Sequence, residues 1–172
     1  MRTKTLPVML GLLVSICLAA GGAAPVSAAE KGGEYKSLQG VKLVKAVFDF
    51  RIGEPKSALL HLDVVRQTIR DKALQKGKKK PAYAVVFSGP SVKLLSVNRM
   101  GFAADDAKTL DAISGMLASL AKEGVRLEVC EIALAVLGVD PASVQPGIEK
   151  VGNGYVSLIG YGAQGYSLVP VY

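Results

Sequence analysis

The chain has 172 residues, of which 50% are hydrophobic and 20% are charged, and this composition is typical of one globular domain and excludes a disordered chain. Lys and Arg (21) outnumber Asp and Glu (14), which gives a formal charge of +7. One His and two Cys exclude a zinc finger and a disulfide-dense scaffold, and they leave little room for a catalytic triad. We therefore expect no metal and no cofactor, and the main question is what the two cysteines do.

The N-terminal 28 residues have the pattern of a secretory signal peptide. Arg2 and Lys4 form a basic start, an apolar stretch follows over residues 6–20, and small residues before and at Ala28 suit cleavage after it. The apolar run of about fifteen residues is shorter than the ~20 that span a bilayer. We therefore expect Cys17 to be removed with the leader, leaving a periplasmic or secreted protein with no membrane segment.

Removing this leader lowers the formal charge from +7 to +5 and leaves Cys130 as the single cysteine. In an exported protein an odd cysteine is either a free thiol or part of an intermolecular disulfide. Residues 29–40 are polar and read as a flexible tether. Residues 41–172 are then expected to form one domain.

That domain alternates short apolar runs with helical patterns. Strands are predicted over 43–50, 82–87, 125–129, 148–151 and 166–171. Helical apolar spacing starts after Pro55 (Leu59, Leu62, Val65, Ile69, Ala73), recurs over 110–120 and again over 132–138. This order predicts βαβ units with right-handed crossovers, and hence a three-layer α/β/α sandwich around a mostly parallel sheet.

Three local features are less regular. The segment Ser91–Phe102 fits a short helix or a loop, with Leu94, Leu95 and Val97 expected to pack inward. Asp105 and Asp106 are expected to cap the second long helix and to complement the partial positive charge at its start. Residues 155–162 fit a strand or a helix on pattern alone.

Cys130 is the strongest candidate for a functional residue. It ends a predicted strand and precedes a helix, so it lies at the carboxyl edge of the sheet, where ligands usually bind. The start of that helix favours a thiolate, whereas the carboxylate of Glu131 opposes a second negative charge. Asp49 and Ser88 follow or end other strands at the same edge. The alternative roles are a buried apolar filler for Cys130 and a loop-capping carboxylate for Asp49.

Other binding motifs have little support. The glycines do not form a nucleotide-binding loop. The lysines of residues 76–80 have no interleaved aromatic residues, so they are better explained as a solvated turn than as a nucleic-acid site. We expect no nucleic acid among the partners.

Two stretches resemble the DsrE/DsrF-like family. Residues 124–139, GVRLEVCEIALAVLGV, are similar to the family's cysteine-bearing strand and helix, and residues 154–170, GYVSLIGYGAQGYSLVP, are similar to its closing segment. The opening strand, KAVFD at 45–49, also fits. The resemblance covers about 41–172 and implies a five-stranded α/β sandwich with a helix over 153–163. It also implies self-association, as a trimer or a hexamer.

In the sulfur-relay branch of that family, a cysteine that matches Cys130 carries persulfide between partner proteins. This sequence departs from that branch at Glu131, where relay members tend to have an apolar residue, and near Val136 and Leu137, where they tend to have basic residues. Relay partners of that branch are also cytoplasmic, whereas the leader of this chain predicts export. The resemblance implies that Cys130 binds or relays sulfane sulfur, with a sulfur donor or acceptor protein as partner.

The alternative function is a non-catalytic, oligomeric module that binds a small ligand at the carboxyl edge. Asp49, Ser88 and Glu131 would then be the candidate cleft residues, and Cys130 would be structural. The sequence leaves open whether the protein is an enzyme.

Overall fold

The computed structural model describes residues 35–77, 79–99 and 101–172. The predicted signal peptide and residues 29–34 of the predicted tether lie outside the described residues. The rest of the tether contains a short 3₁₀ turn, Lys36–Leu38, and the Tyr35 hydroxyl donates a hydrogen bond to Asp71 at 3.0 Å. No helix in the described part of the chain is long and apolar enough to cross a membrane.

Within the described residues, five strands form a single sheet whose neighbouring strands are all parallel. The strands are β1 (Lys45–Phe50), β2 (Ala82–Phe87), β3 (Arg126–Cys130), β4 (Glu149–Val151) and β5 (Ser167–Val171). Their order across the sheet is β4-β3-β2-β1-β5. The chain therefore winds outward from β1 to β4 and then returns to place β5 on the other side of β1.

In the part of the chain that the structure describes, four α-helices cover the sheet. They are α1 (Pro55–Arg70), α2 (Ala107–Lys122), α3 (Glu131–Val136) and α4 (Gly154–Ala163), with a 3₁₀ helix at Gly89–Leu95. Buried side chains of α1, α2 and α3 belong to one large core with one face of the sheet, whereas α4 packs on the other face. The predicted three-layer α/β/α sandwich is confirmed, and so is the helix over 153–163.

The start of α1 is stabilised by a proline and by a capping carboxylate. Pro55 occupies the first helical position, where a missing N–H costs nothing, and the Glu54 carboxylate accepts hydrogen bonds from the amides of Lys56 and Ser57. The helix ends at Arg70. Ala73, which continues the apolar spacing in the sequence, therefore lies beyond the helix.

Two local expectations are wrong. Asp106 occupies the position before α2, but its side chain makes no capping hydrogen bond because its backbone is already helical. Leu94 and Leu95 are buried as expected, whereas Val97 is 61% exposed because it follows the end of the 3₁₀ helix.

The face under α4 has a small core. It consists of Val47, Ala84, Val86 and Tyr161, with Leu158 and Tyr166 packed against them. The helix itself, GYVSLIGYGA, carries no charged residue, and Val156 and Ile159 on its outer side are exposed. A helix that is apolar all round is normally buried on every side. The outer side of α4 is therefore an exposed apolar surface.

Candidate functional site

Cys130 lies where two helices begin. It is the last residue of β3 and the residue before the first turn of α3, and its side chain is buried, with the residue 6% exposed. Gly154, the first residue of α4, packs against it: a Cβ atom on Gly154 would lie 3.1 Å from Cys130 Cβ and 3.7 Å from Cys130 Sγ. The first turn of α4 thus packs against Cys130 on this side of the sheet.

An apolar cleft of about 300 Å³ opens beside this cysteine. Three segments form its walls: the start of the 3₁₀ helix, the exposed side of α3 and the start of α4. The lining residues are Ser88, Gly89, Pro90, Cys130, Ile132, Ala133, Val136, Leu137, Asn153 and Tyr155. Apolar walls with a few polar groups are typical of small-molecule sites, and the cleft is at the carboxyl edge of the strands.

Asp49 does not line this cleft but lies directly behind it. Its carboxylate is buried and accepts hydrogen bonds from Arg51 Nε at 3.0 Å and Arg51 Nη2 at 2.8 Å. The hydroxyl groups of Tyr172, at 3.3 Å, and Ser88, at 3.4 Å, also point at it. Each of its hydrogen-bond partners among the described residues is a side chain, so Asp49 anchors Arg51 rather than capping a loop.

Arg51 is the main residue that the sequence did not single out. Its guanidinium contacts two aromatic rings, 5.2 Å from the Tyr155 centroid and 5.3 Å from the Tyr172 centroid, and Nη1 is 3.4 Å from the Tyr155 hydroxyl. The hydrogen bonds to Asp49 raise the pKa of Arg51 above its ordinary value. The side chain is 33% exposed, so part of this fixed positive charge faces solvent.

Strand register places Arg51 level with Cys130. Phe50 pairs with Phe87 and Phe87 pairs with Val129, so the next row of the sheet contains Arg51, Ser88 and Cys130. The Ser88 amide donates to the Phe50 carbonyl at 3.1 Å, which continues the pairing into this row. Because neighbouring strands are about 4.8 Å apart, the Cα atoms of Arg51 and Cys130 are about 10 Å apart. Ser88 lies between them: its hydroxyl is 3.4 Å from Asp49, the partner of Arg51, and the residue lines the cleft together with Cys130.

Glu128 is buried, although its alternation with apolar residues in β3 predicts a less buried side. Tyr161 of α4 covers it and donates a hydrogen bond to Oε1 at 2.5 Å. Burial, together with this hydrogen bond, raises the pKa of the Tyr161 hydroxyl. The other carboxylate oxygen, Oε2, has no hydrogen-bond partner among the described residues. Glu128 precedes Cys130 by two residues and therefore lies on the same face of the sheet.

Glu131, a candidate cleft residue from the sequence, lies outside the cleft. It is exposed and is not among the residues that line the cavity.

A second cavity, of about 310 Å³, lies at the amino edge of the sheet. It is lined by residues such as Tyr83, Lys80 and the ion pair of Arg70 with Glu123. No candidate residue from the sequence is in its lining. The cleft beside Cys130 combines a cavity, a thiol and the ligand-binding edge of an α/β sheet, and it is therefore the candidate functional site.

Comparison with known proteins places this fold in a family. A model of the DsrE/DsrF-like family matches residues 64–171, which include Ser88, Cys130 and α4. Among solved structures, a protein of unknown function from Methanobacterium thermoautotrophicum, MTH1491, is similar with a TM-score of 0.57 and 20% identity, covering 74% of this chain and 98% of that chain. No curated protein matches. The family match covers more than half of the chain, and the chain therefore belongs to the DsrE/DsrF-like family.

Proposed function

We propose that this protein binds or relays sulfane sulfur as a persulfide on Cys130. The observation that carries the proposal is a free thiol at the floor of a cleft at the carboxyl edge of a DsrE-like domain. Family membership supports a domain of the sulfur-relay type. A Cβ atom on Gly154, the first residue of α4, would lie 3.7 Å from the sulfur, so the start of this helix is close to the proposed persulfide.

The proposed step needs no metal and no oxidant. The Cys130 thiolate attacks the outer sulfur of a persulfide donor, a new S–S bond forms, and the S–S bond of the donor breaks. The bonding electron pair leaves with the donor thiolate. Cys130 then carries the transferred sulfur and its proton, and an acceptor thiolate reverses the same exchange.

Intact mass tests this proposal. The full chain carrying Cys17→Ser has Cys130 as its only thiol. Incubation with polysulfide is expected to add mass in steps of one sulfur atom, and a reductant is expected to remove it. The matched chain with Cys130→Ser as well should gain nothing. Absence of the adduct, or an equal adduct on the Cys130→Ser chain, would refute persulfide formation at this residue.

A specific observation favours a second function, a small-ligand-binding module with a structural cysteine. Cys130 is only 6% exposed and packs against Gly154, as a core residue would. Under this alternative the cleft binds a small apolar ligand without covalent chemistry. Unchanged ligand affinity in Cys130→Ala protein, together with no persulfide in the unsubstituted chain, would favour it.

We also propose that the protein is exported and self-associates. The leader pattern supports export, and mass measurement of the secreted chain should show cleavage after Ala28. The exposed apolar side of α4 supports self-association, because Val156 and Ile159 would be covered by a second copy. The family resemblance supports a trimer or a hexamer.

A further inference from the structure

Beside the cleft, a buried carboxylate binds the guanidinium of Arg51, a residue in register with Cys130. Asp49 is 2% exposed and binds two nitrogens of Arg51, and the guanidinium also lies over the rings of Tyr155 and Tyr172. An arginine has five N–H donors, and Asp49 engages only two of the three nitrogens. The remaining N–H groups lie at the edge of the guanidinium, next to the Tyr155 hydroxyl.

Tyr155 connects this group to the cleft. Its hydroxyl oxygen is 3.4 Å from Arg51 Nη1, and the same residue lines the cleft with Cys130. Ser88 makes a similar connection, since it lines the cleft and its hydroxyl points at Asp49 from 3.4 Å. One layer of side chains therefore separates the guanidinium from the space beside the thiol.

We propose that Arg51 and the Tyr155 hydroxyl form an anion subsite at the end of the cleft, and that the sulfur donor is a small sulfane-sulfur oxyanion of the thiosulfate class. This inference names the substrate class of the proposed sulfur-transfer site and rests on that function. The Tyr155 hydroxyl accepts a hydrogen bond from Arg51 and donates one to a sulfonate oxygen, so the positive charge lies behind the sulfonate and the outer sulfur lies toward Cys130.

The chemistry balances without a further reactant. The Cys130 thiolate attacks the outer sulfur of thiosulfate, and the S–S bond between that sulfur and the sulfonate breaks. The bonding pair leaves with sulfite, and Cys130 keeps the outer sulfur as a persulfide anion. A fixed positive charge beside the sulfonate stabilises the dianion as it binds and the sulfite as it leaves.

The subsite can be tested apart from sulfur transfer by the rates at which two reagents of similar size alkylate Cys130. Iodoacetate is an anion and iodoacetamide is neutral. The iodoacetate rate constant divided by the iodoacetamide rate constant therefore reports the local electrostatic potential, and a more positive potential raises it. In the Cys17→Ser chain we expect Arg51→Gln to lower this ratio about four- to seventeenfold, the effect of a unit charge about 10 Å away at an effective dielectric constant of about 20 to 40.

Two further variants make the result specific to charge. Asp49→Asn leaves the guanidinium uncompensated, so it should raise the ratio, whereas Arg51→Gln should lower it. A loss of structure would move both variants in the same direction. Arg70→Gln, which removes an arginine paired with Glu123 at the opposite edge, should leave the ratio unchanged. Shifts of Arg51→Gln and Asp49→Asn in the same direction, or no shift in either, would overturn the subsite.

Persulfide formation then tests the substrate class. In the unsubstituted site thiosulfate should yield the Cys130 persulfide, and Arg51→Gln should slow this reaction about tenfold while slowing the reaction of a neutral alkyl persulfide much less. If polysulfide loads Cys130 and thiosulfate does not, the substrate class is wrong and the proposed function stands. If no donor loads Cys130 while the alkylation ratio depends on Arg51, the subsite exists and sulfur transfer is refuted.

Discussion

Gly154 sets how closely α4 approaches the thiol. A Cβ atom at this position would lie 3.1 Å from Cys130 Cβ and 3.3 Å from Val86 Cγ1, closer than side-chain carbons normally pack. Both neighbours belong to central strands of the sheet and cannot move away easily. The absence of a side chain at residue 154 is therefore what allows the first turn of α4 to pack this closely on Cys130 and Val86.

This contact predicts a stability effect. Gly154→Ala should lower the free energy of unfolding by about 1–2 kcal/mol because it overpacks the junction of Cys130 and Val86. Gly160→Ala is the matched control: no atom lies within 4 Å of a Cβ there, and the better helix propensity of alanine should stabilise the protein by about 0.5–1 kcal/mol. Urea denaturation measures both. A Gly154→Ala chain as stable as the Gly160→Ala chain would show that the sheet yields to the added carbon.

At the scale of elements, the cleft depends on where α4 begins. Asn153 precedes the helix, and its side-chain oxygen accepts a hydrogen bond from the Tyr155 amide at 2.9 Å. This cap fixes the backbone of Tyr155, whose ring contacts Arg51 and lines the cleft. The start of α4 therefore positions both the cleft wall and the partner of the guanidinium.

Removing the cap should loosen this start. We expect Asn153→Ala to lower the free energy of unfolding by about 1 kcal/mol, since an unpaired helix N-terminus loses a typical capping interaction. Asn153→Asp retains an acceptor oxygen and should cost much less. Denaturant unfolding at neutral pH separates the two variants. Equal losses for alanine and aspartate would mean that the side-chain hydrogen bond contributes little to the helix.

At the scale of the whole molecule, the two faces of the sheet are covered unequally. Helices α1 and α2 bury one face, whereas α4 alone packs on the other and leaves its own outer side apolar and exposed. Ile159 of α4 is 71% exposed, and Leu168 on the neighbouring strand β5 is 56% exposed. A second copy of the chain that covers this surface would complete the burial of α4.

If the protein self-associates through α4, a charged residue on the outer side of this helix should weaken the assembly. Ile159→Lys should shift the protein toward monomer, because a charged side chain in the contact must be desolvated. Leu60→Lys changes an equally exposed residue of α1, at 63%, on the opposite layer, and should leave the assembly unchanged. Sedimentation velocity measures the distribution of species. A monomeric unsubstituted protein, or equal effects of the two lysines, would contradict this interface.

The order of strands and helices could be predicted from the sequence because each element buries a periodic apolar pattern. Cys130 and Ser88 could be placed at one edge for the same reason, since parallel strands end together. Arg51 could not be identified in this way. Its importance comes from contacts with Tyr155 and Tyr172, more than 100 residues away, and from its register with Cys130. The burial of Glu128 likewise depends on Tyr161, which only the packing of α4 brings to it.

The central claim is that Cys130 reacts in the folded protein, although it is 6% exposed. The most direct measurement is the rate at which iodoacetamide labels the Cys17→Ser chain as urea rises from zero toward the unfolding transition. A cleft thiol should be labelled at a rate that is nearly constant below the transition, because the reagent reaches it in the native state. A rate that rises with urea in proportion to the unfolded fraction would show that Cys130 is a buried structural residue, and would contradict the account.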